Sequence, residues 1–267
     1  MKAKTHRRLV PLFSTRTVPL LFATATAVAD NTPQPLPFGQ NWSNPALLNA
    51  NNDWSGVPGF MGYRGDKLST VIGTSPQSIT AEGTSTPVTL LPNKKNPNSL
   101  RTGGVAEFEI ENPCVALKGS ATASAPFLLL NLNTKGHHKI IVACNLRDLD
   151  GSANDAVQPV ALQFRVGTNG AFTDLPEAFV ADASSGPNLA TLVTPVTVTL
   201  PAEAGDQSHL QLRWITSNAD GNDEWIGIDD IAVIWQDPVG EPQKSDKAKP
   251  ATDKPVERLR SPRDQPR

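Results

Sequence analysis

The chain contains little cysteine and, after its first residues, no apolar run that approaches the length of a membrane span. Cys114 and Cys144 are the two cysteines among 267 residues, and no Cys-x-x-Cys pair occurs. Cys144 shares the apolar face of a predicted strand with Ile140 and Val142, where a free thiol packs as a small hydrophobe. Because pairing geometry cannot be read from a sequence, a buried free thiol and a Cys114–Cys144 bridge both remain open.

Signatures of catalysis are also scarce. The chain has no Gly-x-Ser-x-Gly elbow, no His-Glu-x-x-His motif and no glycine-rich phosphate loop ahead of a helix. His137 and His138 are adjacent, and neighbours on a strand point to opposite faces, so this pair is a poor metal site. The sequence therefore favours a protein that is not an enzyme, without excluding one.

The two ends of the chain differ in composition from its middle. Residues 1–29 begin with five basic residues, continue into the apolar run VPLLFATATAVA and end in a small-x-small pattern, which predicts a signal peptide cleaved after Ala29. Residues 236–267 contain six prolines, eight basic and six acidic residues, which predicts a disordered tail. The predicted location is extracellular or periplasmic, with no membrane anchor.

The charge of the chain is distributed unevenly. Its net charge is −2, of which the leader contributes +5 and the tail +2, so residues 30–235 carry −9. Nucleic-acid backbones are bound mainly through lysine and arginine. We therefore expect no direct nucleic-acid binding by this acidic body.

The body shows strand-like runs separated by Gly, Pro, Asn and Asp clusters, and no long helical pattern. The clearest predicted strands are VAEFEIE, PFLLLNLN, HKIIVACNLRD, VALQFRVG, TPVTVTLP, HLQLRWITS and IDDIAVIW. Turns at Lys135-Gly136 and Asn169-Gly170 predict two β-hairpins. Together these features predict an all-β, antiparallel, jelly-roll-like sandwich. Its main part is residues 101–235, and residues 30–100 form a loop-rich N-terminal part.

Several aromatic residues lie in the loop-rich part, among them Trp42, Trp54 and Tyr63. One interpretation is that their burial anchors the loops on the sandwich. The alternative is that their ring faces form a platform on which a sugar stacks.

Two acidic clusters are candidates for a calcium site. The segment RDLDGSANDA places Asp148 and Asp150 at the end of a predicted strand, with many oxygen ligands but without EF-hand spacing. Acidic and amide side chains also cap turns by accepting bonds from their own backbone, so a structural role stays open. Asp53, in the segment NNDW, is a further ligand that could complete such a site.

The second cluster is the segment DEWIGIDDIAVIW, residues 223–235. Strict strand alternation places Asp229 on the same face as Ile231 and Val233, which predicts that Asp229 points into the sandwich and Asp230 points away. A buried carboxylate needs a partner. A calcium ion and a set of hydrogen bonds are equally consistent with the sequence.

Five strings in the chain resemble a known module: NNDWSGVPGFMGYRGD, TGGVAEFEI, NLRDLDGSANDAVQPVALQFRVG, VADASSGPNLATLVTPVTVTLP and NDEWIGIDDIAV. They are similar to the N-terminal β-sandwich of large secreted bacterial proteins, many of which carry an endonuclease/exonuclease/phosphatase domain. The ending IGIDDI is also similar to MAM-type jelly rolls. The resemblance implies the fold and export, and any activity it implies is of the nuclease or phosphoesterase type.

These features support two functions that the sequence alone does not separate. The first is a secreted, non-catalytic module that binds an extracellular glycan or protein surface and is stabilised by calcium. The second is a stand-alone or truncated relative of an extracellular nuclease or phosphoesterase with a purely structural role. A hydrolase in its own right is the least supported alternative, because no paired base, nucleophile or histidine accompanies the acidic residues.

Overall fold

A computed structural model describes residues 30–151 and 156–236 of the chain. The predicted leader, the tail beyond Gln236 and residues 152–155 of the first acidic segment lie outside these ranges.

The described residues form a β-sandwich, as the sequence predicts. Its strands are β1 (Gln34–Pro35), β2 (Phe38–Gln40), β3 (Phe60–Tyr63), β4 (Leu91–Lys94), β5 (Gly104–Phe108), β6 (Cys114–Lys118), β7 (Phe127–Asn133), β8 (Ile140–Asp148), β9 (Val160–Val166), β10 (Thr173–Asp174), β11 (Val193–Thr199), β12 (Leu210–Thr216) and β13 (Ile226–Trp235). Short 3₁₀ turns lie at Pro45–Leu47, Pro76–Ser78, Pro97–Ser99, Pro176–Ala178 and Ala202–Ala204. None of the helical turns in the described ranges is long and apolar enough to cross a membrane.

The strands form two sheets. Sheet A has the order β1-β7-β12-β9-β10, with β3 also paired to β7. Sheet B has the order β11-β8-β13-β6-β5-β4, with β2 also paired to β13. The pairs β1–β7 and β4–β5 are parallel, and the other strand pairs are antiparallel. The core lies between the sheets, where Leu212, Trp214 and Leu146 are almost fully buried.

The seven strands predicted from the sequence are all present, whereas β6 and the short strands β1 to β4 of the loop-rich part were not identified individually. The hairpin at Asn169-Gly170 is confirmed, because β9 and β10 pair antiparallel across it. The prediction of a hairpin at Lys135-Gly136 is wrong. The chain turns there, but β7 belongs to sheet A and β8 to sheet B, so the turn carries the chain from one sheet to the other.

Cys114 and Cys144 are both free and buried. Cys144 points into the core, where its sulfur accepts the Trp214 indole N–H at 3.3 Å. The strand registers place Cys114 on the opposite face of sheet B, beside Gly227. A disulfide is therefore excluded by geometry, and of the two open interpretations the buried free thiol is correct.

A buried acid on β5 gives the protein a predicted pH dependence. Glu107 is 1% exposed and accepts the Asn93 backbone N–H at 2.6 Å. Burial, with a smaller repulsion from Glu109, raises the pKa of Glu107 from 4.5 to about 7. Since the pKa of the folded state is the higher one, the stabilising effect of the neutral acid is complete below about pH 4.5 and is lost as the pH rises towards 7.

Glu107→Gln should therefore reduce the loss of stability between pH 5 and pH 8, by about 1–2 kcal/mol. Urea unfolding of wild type and variant at both pH values measures the difference. Other acids with raised pKa values, such as Asp223 and Asp174, remain in both proteins. An identical pH dependence in the two proteins would contradict the assignment.

Candidate functional site

The acidic pair Asp229–Asp230 lies at a β-bulge in the middle of β13. Asp229 is paired with Asn145 of β8, and the next paired residue, Ala232, faces Ala143, so β13 has one residue more than its partner. Asp230 lies within the bulge, and its φ of 49° is in the left-handed region. On its other side β13 pairs with β6 before the bulge and with β2 after it.

Asp229 is held by an arginine and an asparagine. Its Oδ2 accepts Arg147 Nη1 at 2.8 Å and Asn112 Nδ2 at 3.2 Å, and its Oδ1 accepts the Asp230 backbone N–H at 2.8 Å. The Asp229 side chain is 1% exposed and that of Arg147 is 16% exposed. Burial raises the pKa of Asp229, and the bonds from Asp230 and Arg147 oppose that rise.

This arrangement confirms one half of the sequence prediction and corrects the other. Asp229 is fully buried and Asp230 is exposed, as predicted. The predicted face is wrong, because the bulge interrupts the alternation. Asp229 shares the outer face of sheet B with Gly227 and Arg147, whereas Ile231 and Val233 point into the core. Among the groups that the structure describes, an ion pair and hydrogen bonds rather than a cluster of acids surround Asp229.

Two of the predicted calcium ligands do come together at one end of the sandwich. Asp148, Asp150 and Glu224 are buried, and each offers an oxygen within 4.8 Å of those of the other two. Asp148 Oδ2 accepts the backbone N–H and the hydroxyl of Ser185, both at 2.8 Å. Asp150 Oδ2 lies 3.3 Å from Nζ of Lys118, whose side chain is 9% exposed.

The donor set of this acidic cluster fits a hard divalent cation. Its three carboxylates offer oxygen ligands alone, which is the chemistry that calcium prefers. If all three carboxylates are ionised and Lys118 is protonated, these four groups carry a charge of −2, which a divalent ion would neutralise.

Asp53 lies outside the acidic cluster, and Glu224 was not predicted to belong to it. The Asp53 carboxylate accepts the Ser55 backbone N–H at 2.9 Å, which is a turn-capping role. Glu224 reaches the cluster because Ile226, two residues later, pairs with Asp148. The sequence signal was an acid immediately before β13, but that signal is informative only once the β8–β13 register is known.

The alternative prediction, that three aromatic ring faces form a surface on which a sugar stacks, is wrong. Trp42, Trp54 and Tyr63 are 3%, 0% and 7% exposed, so their ring faces are not available to a sugar. Trp42 donates its indole N–H to the Ile228 carbonyl at 2.7 Å and packs on Phe60. Burial anchors these loops, in agreement with the other interpretation.

The outer face of sheet B presents an uncharged surface that the sequence analysis did not identify. Two rows of side chains cross it, and neither contains a charged residue: Thr197, Ala143, Ala232 and Gly39 in one, Thr199, Ile141 and Ile234 in the other. We call these seven residues the platform. All are exposed or half-exposed, with Ile234 at 46%. Since its side chains are apolar or hydroxyl-bearing and carry no charge, we take this sheet face as the candidate contact surface.

A polar depression of about 350 Å³ borders the platform. It is lined by Gly39, Gln40, Asn41, Asp230 and Ile231. The Asp230 carboxylate accepts Asn145 Nδ2 at 2.9 Å, so the bulge holds a charged and an amide group at the platform rim. Residues in sparsely populated backbone conformations concentrate at functional sites. Asp230 is such a residue, as is Trp42, next to Asn41, with a φ of 53°.

The platform has a recognisable sequence signal in retrospect. Thr197 and Thr199 alternate with the buried Val196 and Val198 in TPVTVTLP. In β13, however, Ala232 and Ile234 read as core residues next to Ile231 and Val233. Which alternate set faces outward could not be decided without the position of the bulge.

No protein-family model and no curated protein matches the chain. Among solved structures, it is similar to a carbohydrate-binding module specific for non-crystalline cellulose, CBM28. That module is 14% identical, with 55% of this chain and 99% of the module covered and a TM-score of 0.37. The xylan-binding module CBM15 is 8% identical, with coverages of 67% and 92% and a TM-score of 0.36.

The K3 cleaved adhesin domain of Lys-gingipain from Porphyromonas gingivalis w83 is also similar. It is 14% identical, with 74% of this chain and 96% of that domain covered and a TM-score of 0.38. At such identities and TM-scores, these similarities carry no inference about ligand or activity.

Proposed function

We propose that this protein is a secreted, non-catalytic β-sandwich module that binds a partner surface through the platform. The platform itself carries the proposal: it is an uncharged sheet face, four strands wide, on a body of net charge −9. Such faces lose little hydration free energy when they are covered, because they have no charges to desolvate. The resemblance to modules of secreted nucleases remains an expectation.

A protein surface is the partner that the platform favours. Exposed aliphatic side chains such as Ile234 gain from burial against another apolar surface. A glycan is the second candidate, and the polar depression favours it. The carboxylate of Asp230 and the amides of Gln40 and Asn41 are groups that hydrogen-bond to sugar hydroxyls.

Binding of the labelled, purified module to cells of the producing organism would test the proposed function. Cells treated with protease should lose binding if the partner is a protein, and cells treated with periodate should lose it if the partner is a glycan. A glycan array identifies the sugar in the second case. Absence of binding to untreated cells and to the array would contradict the proposal.

We also propose export, with Asp30 as the mature N-terminus. The basic start, the short apolar run and the small residues Ala27 and Ala29 support it. N-terminal sequencing of protein from the culture supernatant or periplasm should begin at Asp30. A mature protein that begins at Met1 would contradict it.

The acidic cluster is proposed to hold a structural calcium ion. Calcium at about 100 times its dissociation constant would then contribute about 2.7 kcal/mol to the stability of wild type. A chelator should therefore lower the thermal midpoint by about 5–10 °C. Asp148→Asn should lose this sensitivity to the chelator, because a ligand is missing.

Asp53→Asn is the matched control for the calcium prediction, since Asp53 caps a turn outside the cluster. This variant should keep the full response to the chelator. A wild-type midpoint that the chelator leaves unchanged would show that the cluster is held by Lys118 and hydrogen bonds alone.

A further inference from the structure

Strand β11 is an edge of sheet B, because it pairs with β8 on one side and with no strand of the described residues on the other. In an antiparallel pair, alternate residues bond to the partner strand, and the residues between them direct their backbone groups away from it. The Leu200 N–H donates to the Ile140 carbonyl at 2.8 Å, and the Asp148 N–H donates to the Leu192 carbonyl at 3.0 Å. Since the register between these two pairs is continuous, the even-numbered residues of β11 bond to β8.

The odd-numbered residues of β11 therefore direct their backbone groups towards the free edge. These residues are Val193, Pro195, Thr197 and Thr199, and all four are exposed. Within the described residues, none of them forms a backbone hydrogen bond outside β8. The turn at Pro176–Ala178 approaches β11, but its backbone forms no hydrogen bond to this strand. A row of unpaired donors and acceptors along a strand edge is a template on which a further strand can pair.

Two prolines limit this free edge, and its sequence is nearly the same in both directions. The chain from Pro195 to Pro201 reads PVTVTLP, so the two prolines are equidistant from Val198. Thr197 and Thr199 are also equidistant from it. Proline has no backbone N–H, so pairing across the edge ends at each proline. The two threonines are the residues between the prolines that direct both an N–H and a carbonyl outwards.

We propose that two copies of this chain associate through β11, in antiparallel orientation, about a two-fold axis at Val198. Thr197 of one copy then lies opposite Thr199 of the other, and the two residues of each such pair exchange both of their N–H···O bonds. A two-fold interface must be self-complementary, and the symmetric spacing of the threonines and prolines meets that requirement. The paired threonine side chains also face each other on the outer side of sheet B, where Thr–Thr pairs stabilise neighbouring strands.

The composition of β11 permits this association, although residues 30–235 carry a net charge of −9. Residues 183–202 contain no charged residue, so the strand and its flanks bring no charge to the shared edge. Repulsion between the rest of the two copies is screened beyond about 8 Å at physiological ionic strength, so the dimer should become tighter as the salt concentration rises. Pairing in the plane of sheet B leaves the platform uncovered, and the inference does not depend on the proposed function.

Sedimentation equilibrium of the mature chain, from micromolar to millimolar concentrations, should show a monomer–dimer equilibrium that higher salt shifts towards the dimer. Thr197→Pro removes a bonding N–H from each copy and should weaken dimerisation by about tenfold or more. Val193→Pro is the matched control, because it removes an N–H of the same edge that lies beyond Pro195, and its dimer affinity should equal that of wild type. A monomer at every concentration, a dimer that salt weakens, or equal affinity of Thr197→Pro and wild type would overturn the proposal.

Cysteine cross-linking tests the register without a proline substitution. Thr197→Cys in one copy and Thr199→Cys in the other place their Cα atoms about 5.5 Å apart, within the range of a disulfide. A mixture of the two variants should therefore form a cross-linked dimer on mild oxidation, whereas each variant alone should not, because identical residues lie farther apart. The native Cys114 and Cys144 are buried in both variants. Equal cross-linking of one variant alone and of the mixture would overturn the two-fold axis at Val198.

Discussion

Arg147→Ala is expected to destabilise the protein by about 3–5 kcal/mol, because it leaves the Asp229 carboxylate buried without its cation. Asp229 keeps only the bonds from Asn112 and from the Asp230 backbone in this variant. The pKa of Asp229 is already raised by burial, and loss of Arg147 would raise it further. The deficit should therefore be largest at high pH and should shrink as the pH falls and Asp229 becomes protonated.

Asp229→Ala should cost less, about 1–3 kcal/mol, since Arg147 is partly exposed and can reach water. The double variant should be more stable than Arg147→Ala alone, because it removes the uncompensated charge together with its partner. Asp230→Ala is the control on the exposed side of the bulge, and should cost under about 1 kcal/mol. Urea unfolding of the four variants measures these differences. Equal costs for Arg147→Ala and Asp230→Ala would refute the ion-pair account.

The second large effect is expected at Gly65, in the turn that leaves β3. Its φ is 62°, and a Cβ there would lie 1.7 Å from the Ala125 carbonyl oxygen. Gly65 is also fixed by bonds to its neighbours, since its carbonyl accepts the Ala125 N–H and the Ser124 hydroxyl, both at 3.1 Å. Gly65→Ala should therefore cost at least about 3 kcal/mol, from backbone strain and displacement of the chain at Ala125.

Gly73 provides the comparison, because it has a similar φ of 73° but nothing within 4 Å of its Cβ position. Gly73→Ala should cost only the strain of the left-handed conformation, about 1–2 kcal/mol. The difference between the two thermal midpoints isolates the contact with Ala125. If Gly65→Ala and Gly73→Ala unfold at the same temperature, the close approach of Gly65 to the Ala125 carbonyl is contradicted.

The strands were predictable because their composition alternates or is continuously apolar over the length of each strand. The sheet to which each strand belongs could not be predicted in the same way. The turn at Lys135-Gly136 has ordinary hairpin chemistry, yet it connects the two sheets. A turn sequence determines the local reversal of the chain, whereas the partner of the next strand depends on which apolar faces meet in the core.

The bulge explains the largest error in the predicted site. Alternation is reliable only while a strand stays in register, and one extra residue at Asp230 moves every following side chain to the other face. Burial of Asp229 was predictable from its apolar neighbours. Its partner Arg147 was not, because the two residues are 82 positions apart in the chain.

The acidic cluster and the arginines Arg165 of β9 and Arg213 of β12 show the same limit of prediction from sequence. Asp148 and Asp150 were identified from their density in one segment, but Glu224 comes from a separate one. The repeated motif Gln-x-Arg in LQFRV and LQLRW was visible in the sequence. The contacts of these residues could not be predicted from the motif, because they depend on the antiparallel register that places each arginine opposite a glutamine.

The central claim is that the platform is the binding surface, and one comparison of exposed-residue variants tests it most directly. Thr197→Arg and Ile234→Arg each place a charged side chain on the platform. Val71→Arg places one outside it, at a residue that is 65% exposed in the loop after β3. Affinity for cells of the producing organism, measured by titration of the labelled module, should fall at least about tenfold for both platform variants and stay unchanged for Val71→Arg. Unchanged affinity of the platform variants, or an equal loss for Val71→Arg, would contradict the account.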